Sequence, residues 1–541
     1  MIALYTLILS LFVTIALLPF LVRVADGLRL VDLPDSRKIH QGTIPCVGGI
    51  AIAAGVLSAV LLFLPDRTEI VAYLAAVSVI FVFGVADDRF DLDYRLKFLG
   101  QIAGALVLVI GGDLCLTRLP FAYGVTMPEW IGIPLTVVLI VGITNAINLA
   151  DGMDGLAGGT SLLAASALGY LAYLGGDKHV ALLALALIGA TLGFLRYNTF
   201  PARVFMGDGG SQFLGFSVAA LGILLVERAN TAISPLVPVL ILGLPIVDTL
   251  SVMVRRIRAG RSPFVSDRQH LHHRLLDIGL NQYQSVVLVY LLQAILIIAA
   301  WRLQYAPDWM LLGALTLFVV VLFRLLHLWQ TQHTHGRMLL QRLDVITRAV
   351  EFARARQLLT RFARILLLYG LAGFLVLGSL LVGEVEEDIG WLAVLLGSLL
   401  LLGMLMHSFP LPSAARLAAF GLGASVIYLT ETQGLSGGLS ESWMRVWLVV
   451  ISLGIALELR FGGGGFRVNA LDVLVILIIA VVPNMPLVRE LGLRAMVVET
   501  LVLFYASELA LDDYGERRWN LLHLAVLFGL CIIALRAFVG S

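Results

Sequence analysis

The sequence predicts an all-α protein that crosses a membrane many times, and three observations predict it. Of 541 residues, 60% are hydrophobic and only 13% charged, whereas a soluble domain is roughly half apolar and a quarter charged. The mean hydropathy is +0.96. The apolar residues also gather into separate runs close to the roughly 20 residues that a spanning helix needs. Net charge is +1, so no bulk field points to nucleic acid as a partner. Cys46, Cys115 and Cys531 are too few and too scattered for a disulfide framework or a zinc site.

In chain order the runs lie near 2–22, 46–64, 69–86, 96–115, 131–149, 160–176, 180–196, 211–227, 233–254, 284–301 and 309–328, then 365–383, 390–406, 414–430, 444–459, 470–483, 497–511 and 519–538. That is about eleven spans in an N-terminal module, 1–329, and about seven in a C-terminal bundle, 365–541. The first run has no basic leader and no small-residue cleavage site, so it reads as a retained helix rather than a signal peptide. Between module and bundle, 330–364 carries Arg337, Arg342, Arg348, Arg354, Arg356, Arg361 and Arg364. Leu339, Leu340, Leu343, Ile346, Val350 and Phe352 lie among them at helical spacing. This is a basic amphipathic linker, either resting on anionic lipid or solvated.

Orientation follows from the basic residues at the ends of the runs. Arg23, Arg29, Arg37 and Lys38, then Arg89, Arg95 and Lys97, then Arg196 and Arg203, then Arg255, Arg256, Arg258, Arg261, Arg268 and Arg274 occupy alternate loops. The intervening loops are short and poor in Lys and Arg. The N-terminus is therefore expected outside and the basic loops in the cytoplasm.

The acids sit on that same side. Asp87-Asp88-Arg89-Phe90-Asp91 directly follows a hydrophobic run. Adjacent carboxylates repel unless a cation or proton intervenes, although a solvated helix end accounts for them as well. In Asn145-Ala-Ile-Asn148-Leu-Ala-Asp151-Gly-Met-Asp154-Gly, the two Asp are three apart and share a face of a helical turn. Their amide neighbours suit a base or a ribose. Arg196-Tyr-Asn198 leads to Phe205-Met-Gly-Asp208-Gly-Gly-Ser211, which places Asp208 at the start of the next helix. A hard oxygen ligand there suits Mg²⁺, and a helix N-terminus favours anions; a plain N-cap role is compatible with both. Arg268-Gln-His270-Leu-His272-His273-Arg274 offers donors for a diphosphate, against a structural loop or, less suited to its basic neighbours, zinc. Lys38-Ile-His40-Gln-Gly-Thr-Ile-Pro45-Cys-Val-Gly48-Gly49 adds basic donors ahead of a Gly-Gly helix start.

Taken together and in this order, His40-Gln-Gly-x-Ile-Pro-x-Val-Gly-Gly49, Asp87-Asp-Arg-Phe-Asp91 and Ser262-Pro-Phe-x-x-Asp-Arg-Gln-His-x-His-His273 resemble the polyprenyl-phosphate N-acetylhexosamine-1-phosphate transferase family. The likeness covers about residues 1–328 and favours the WecA-like over the MraY-like branch, since Ile44-Pro45 replaces that branch's Thr-Pro. It implies transfer of an N-acetylhexosamine 1-phosphate, GlcNAc-1-phosphate first, from a UDP-sugar to undecaprenyl phosphate, with release of UMP. Mg²⁺ or Mn²⁺ is the implied cofactor and the cytoplasmic face of a bacterial inner membrane the implied place. That is the first membrane step of a cell-surface polysaccharide or O-antigen.

On that reading Asp87, Asp88 and Asp208 are catalytic, and Asp208 with Asp151 holds the metal. Lys38, His40, Asn148, Asp151, Asp154, Asn198, Arg268, His270, His272 and His273 bind substrate. The competing class is a transporter or flippase, for which Asp248, Glu508 and Gly462–Gly465 would mark a substrate path. The C-terminal bundle carries no motif of its own. It would serve a structural role, stabilise a homodimer, recruit later enzymes or act on the lipid product.

Overall fold

The computed structural model describes residues 2–32, 43–64, 67–122, 125–260, 262, 270–331, 353–406, 411–433, 442–461, 494–514 and 519–539. Those residues are almost wholly helical. Lipid demands this, because only helices or closed barrels satisfy the backbone without water. Among them, 12 helices are long and apolar enough to cross a bilayer. The chain divides into two compact units, Met1–Leu343 with Asn469–Leu471 and Asp344–Val468 with Asp472–Ser541.

The first unit opens with α1 (Ile2–Leu28) and a two-stranded antiparallel pair, β1 (Val31–Asp32) and β2 (Ile44–Pro45). Then come α2 (Gly48–Phe63), α3 (Thr68–Phe90), α4 (Tyr94–Gly111), α5 (Glu129–Ala150), α6 (Leu156–Leu174), α7 (Lys178–Asn198) and α8 (Gly207–Leu224). The last five are α9 (Leu236–Ile241), α10 (Gly243–Arg258), α11 (Leu271–Asp277), α12 (Gln282–Arg302) and α13 (Asp308–Thr331).

The centre of this unit is α8. Beyond its first two residues it is buried on every side, from Gly209 to Leu224, as expected of a largely apolar helix at the centre of a bundle. Its first turn is wedged between two neighbours by glycine. A Cβ on Gly49 of α2 would lie 2.4 Å from the Gly210 Cα, and one on Gly84 of α3 would lie 2.5 Å from the Gly209 Cα. Small residues allow such close approach of helices in lipid, where dispersion contacts hold helices together. The backbone adds to the wedge. The N–H groups of Gly48 and Gly49, which open α2 and have no partner within it, donate to the carbonyls of Phe205 and Met206 at 2.9 Å each.

The expected single span over 233–254 is broken. Pro245 has no N–H for the carbonyl four residues back and its ring excludes it. The Ile241 carbonyl instead accepts from the Gln293 amide of α12 at 3.2 Å. Beyond the break, α10 is amphipathic, with Arg255, Arg256 and Arg258 in its last turn. It anchors α11: Asp248 accepts the Leu271 N–H at 2.7 Å and the His270 Nδ1–H at 2.9 Å. The opposite end of the bundle is closed by ion pairs and caps, including Arg67–Asp177 at 2.8 Å and the Thr117 hydroxyl on Glu227 at 2.7 Å.

The second unit contains α14 (Ala353–Leu381), α15 (Glu387–Leu405), α16 (Leu411–Gln433), α17 (Ser442–Phe461), α18 (Arg494–Tyr514) and α19 (Leu521–Val539). Of the expected linker, 353–364 forms the start of α14 and 330–331 ends α13, while 332–352 lies outside the described residues. The expected span 470–483 and the glycines at 462–465 also lie outside them. Glu508 pairs with Arg416 at 3.3 Å, both side chains being largely buried.

The glycine wedge generates a prediction. Gly49→Ala and Gly210→Ala lower the thermal unfolding midpoint by several degrees in detergent. Gly142→Ala in α5 leaves it unchanged or raises it, because a Cβ there meets nothing within 4 Å and alanine favours helix by about 1 kcal/mol. Equal midpoints for all three variants would refute the wedge.

Candidate active site

The ends of α3, α5 and α8 that carry the acids meet at one end of the bundle around a cavity of about 580 Å³. Its walls include Asp88, Asn148, Asp151, Asp154, Asn198, Asp208 and His273. A larger cavity of about 690 Å³ in the second unit, between α14 and α19, has no charged side chain in its lining. Of these two, the first is the one lined by charged side chains.

The three aspartates nearest α8 differ sharply in situation. Asp88 is turned onto the start of α8, where its two oxygens accept the N–H groups of Asp208 at 2.6 Å and Gly209 at 3.0 Å. It satisfies two orphan donors and sits at the positive end of the helix dipole. The close approach requires glycine at 207, whose φ is +74° and whose Cβ would lie 2.6 Å from an Asp88 oxygen. Asp87 is 4% exposed. One of its oxygens accepts the Leu92 N–H at 2.9 Å, and the other lies 2.5 Å from the Lys97 ammonium. Asp208 has a side chain 39% exposed and faces the cavity. Lys97 reaches it at 3.2 Å and the Asn148 amide donates to it.

The sequence thus treats alike three carboxyls that the fold separates: one anchors a lysine, one caps a helix and one is presented. Lys97 is the residue that sequence reasoning misses, counting it only as an orienting charge. A signal existed. Lysine occurs only three times among the 37 Lys and Arg residues, and this one lies one turn into α4, ten residues after Asp87.

Asp151 closes α5, its N–H bonded to the Asn148 carbonyl at 3.1 Å. Burial, with the negative charges of Asp208, Asp88 and Asp154 nearby, pushes its carboxyl up to about 7. Asp154 accepts the Ala202 N–H at 2.9 Å. Asn198 spends both ends of its amide on backbone, accepting from the Gly155 N–H and donating to the Val204 carbonyl, each at 2.9 Å. These two residues line the cavity and also hold its loops together.

The histidines divide in the same way. His273 lines the cavity. His270, on Asp248, is buried behind it and does not line it. His272 is buried too, and desolvation with His273 and His270 beside it depresses its imidazole to about 3. It is neutral and packs against Gly152, where a Cβ would lie 2.4 Å from its Nε2. Lys38, His40 and Arg268 lie outside the described residues. Asp32 and Ile44, which flank the first two in the chain, line the cavity.

Among the described residues no three His, Cys, Asp or Glu side chains gather as a metal cage. The donors that do face the cavity are nearly all hard oxygens, with Asp208 the most open of the α3–α8 acids. That set fits a divalent cation such as Mg²⁺, which is commonly held by one or two carboxylates while substrate phosphates and water complete the shell.

Residues 70–226 match the model of glycosyl transferase family 4. A probable undecaprenyl-phosphate N-acetylglucosaminyl 1-phosphate transferase of Bacillus subtilis (strain 168) is 39% identical over 318 residues, covering 58% of this chain and 88% of that protein. The undecaprenyl-phosphate alpha-N-acetylglucosaminyl 1-phosphate transferase of Escherichia coli (strain K12) is 34% identical over 333 residues, with the same coverage. Its namesake in Yersinia pestis is 35% identical over 317 residues, covering 56% of this chain and 85% of that protein. Asp88, Asp151, Asp154 and Asp208 lie within residues 70–226, and on the relatives' identity and coverage the chain belongs to the polyprenyl-phosphate N-acetylhexosamine-1-phosphate transferase family.

Proposed function

We propose that the first unit transfers GlcNAc 1-phosphate from UDP-GlcNAc to undecaprenyl phosphate at the cytoplasmic face of a bacterial inner membrane, releasing UMP. The observation that carries this is the placement of an exposed Asp208, backed by Asn148 and Lys97, in a polar cavity at the end of a bilayer-length bundle. A lipid phosphate has its tail in hydrocarbon and its head at that depth, so a catalyst for it belongs in a membrane. The two acids that a transport path would use do not support one: Asp248 caps α11 and Glu508 is paired with Arg416.

In the reaction an oxygen of the lipid phosphate forms a bond to the phosphorus that bears the sugar. The bond from that phosphorus to the bridging oxygen of UMP breaks, and UMP leaves with the electron pair. Nucleophile and electrophile are both anionic, so neutralising and aligning charge is the main task. Asp208 and Asp151 would hold Mg²⁺ or Mn²⁺, which supplies positive charge to the diphosphate and to the leaving UMP. His273, in the cavity wall, would donate to phosphate. Asn148 orients Asp208, while Lys97 offsets the charge of Asp87 and Asp208 from behind. Asp88 holds the α8 N-terminus in place. A single displacement suffices, since a phosphate monoester dianion needs little activation.

The test is incubation of the purified full chain with labelled UDP-GlcNAc, undecaprenyl phosphate and Mg²⁺. Label passes into butanol and UMP appears in equal amount; a panel of other UDP-N-acetyl sugars turns over more slowly. No butanol-soluble label would overturn the reading.

Asp208→Asn lowers turnover by a factor on the order of 10³ while leaving the unfolding midpoint within a degree or two. Asp87→Asn lowers both, because it strips a buried partner from Lys97. The pair of kcat and melting measurements separates a presented acid from an anchoring one.

Asp151 gives the pH dependence. Its carboxyl is raised to about 7, so it carries a proton below that pH and is a carboxylate above it. Activity at low Mg²⁺ falls as pH drops through 7. The inflection moves to lower pH as Mg²⁺ rises, because cation and proton compete for one group. Asp151→Asn abolishes the Mg²⁺-dependent movement; an unchanged movement in that variant would refute the assignment.

A further inference from the structure

Gln101 and Gln212, both buried, and the half-buried Asn145 form an amide cluster where α4, α5 and α8 meet. The Gln101 Nε2 lies 3.2 Å from the Gln212 Oε1 and 3.5 Å from the Asn145 Oδ1. The Asn145 Nδ2 returns a bond to the Gln101 Oε1 at 2.5 Å and donates to the Val141 carbonyl at 2.8 Å. Gln101 and Gln212 are 2% and 1% exposed.

Their positions in the chain are what make the cluster informative. Gln101 follows Lys97 by four residues on α4, Gln212 follows Asp208 by four on α8, and Asn145 precedes Asn148 by three on α5. Residues three or four apart lie one above the other on a helix face. Each amide therefore lies one turn deeper than one of the three residues that meet at the presented carboxylate. Lys97 must reach both Asp87 and Asp208 through a flexible stem, so α4 has to be held in register with α8. Asn148 must meet Asp208 across α5 and α8. The amides bridge these three helices at the next layer down.

We propose that this amide layer positions the active site: Gln101, Asn145 and Gln212 set the relative register of Lys97, Asn148 and Asp208, and so the placement of the Asp208 carboxylate toward phosphate and cation. The inference rests on the cavity being the transferase site. An amide pair bonds at one separation and orientation, and a slip of α4 or α8 would strand buried polar atoms where no water reaches them. A hydrocarbon seam of leucines could slide with little change in energy. The layer thus gives register that packing alone does not.

Isosteric variants test it. Gln101→Met and Gln212→Met keep side-chain volume and lose the hydrogen bonds. In the full chain in detergent each lowers kcat 10- to 100-fold, with KM for UDP-GlcNAc and undecaprenyl phosphate within threefold of wild type. In a Lys97→Ala background, Gln101→Met adds less than threefold, because the residue it places is gone. A merely structural role would shift the melting midpoint without that split and without that loss of additivity. A kcat within twofold of wild type in both isosteres would overturn the proposal. Mn²⁺ binding to the same preparations, followed by electron paramagnetic resonance, gives a readout apart from turnover, and both isosteres bind at least threefold more weakly than wild type. Should wild type yield no labelled lipid, the donor and acceptor fail and the layer is judged on Mn²⁺ alone; equal or undetectable binding in all three proteins then overturns it.

Discussion

The site depends on how closely three backbones approach at the start of α8. Gly49, Gly84, Gly209 and Gly210 let α2 and α3 close on that first turn, and the orphan N–H groups at both helix starts are then consumed locally. Those of α2 go to the Phe205 and Met206 carbonyls, and those of Asp208 and Gly209 go to Asp88. A side chain at any of the crossing positions would push α8 outward. Asp88 would lose its donors, and Asp208 would leave the reach of Lys97 and Asn148. Packing, capping and chemistry are the same few atoms here.

Charge imposes the second constraint. Removing a carboxylate from water costs several kcal/mol, and two opposite charges a few Å apart near a protein surface attract by about 4 kcal/mol. Asp87 can therefore be buried because an ammonium lies against it, and Lys97 can be held there because two carboxylates share it. The arrangement leaves Asp208 partly open while keeping the local excess of negative charge small. On the proposed function, a divalent cation together with an incoming diphosphate would complete the balance from the cavity side.

The fold class was legible because lipid leaves so few options: spans of about 20 apolar residues, interrupted by acids and arginines on alternate loops, read directly as a polytopic bundle. Most spans fall within a few residues of their helices. The run over 233–254 misleads because averaged hydropathy is blind to Pro245, which ends the carbonyl ladder at Ile241. The site was legible as a set of blocks but not as a division of labour. Nothing in Asp87-Asp88 tells which oxygen meets Lys97 and which caps α8, since that depends on α4 and α8, which lie at long range. Lys97 and the amide layer escape for the same reason: each is a single polar residue in a helix, informative only once its neighbours on other helices are known. The second unit is legible as helices and no further.

The His block shows most plainly why a motif of like residues need not act alike. Three imidazoles within four residues read as a set of donors. Yet a buried imidazolium beside two other histidines is costly, and His272 is accordingly neutral, with its imidazole depressed to about 3. Its ring fills the space over Gly152, next to Asp151. His270 in turn is tied to Asp248, which also holds the Leu271 N–H and so fixes the start of α11 to α10. These two contacts place the third imidazole, His273, in the wall of the cavity that Asp151 and Asp208 share. Of the three, His273 is the imidazole that lines the cavity, while His270 is bonded to Asp248 and His272 packs on Gly152.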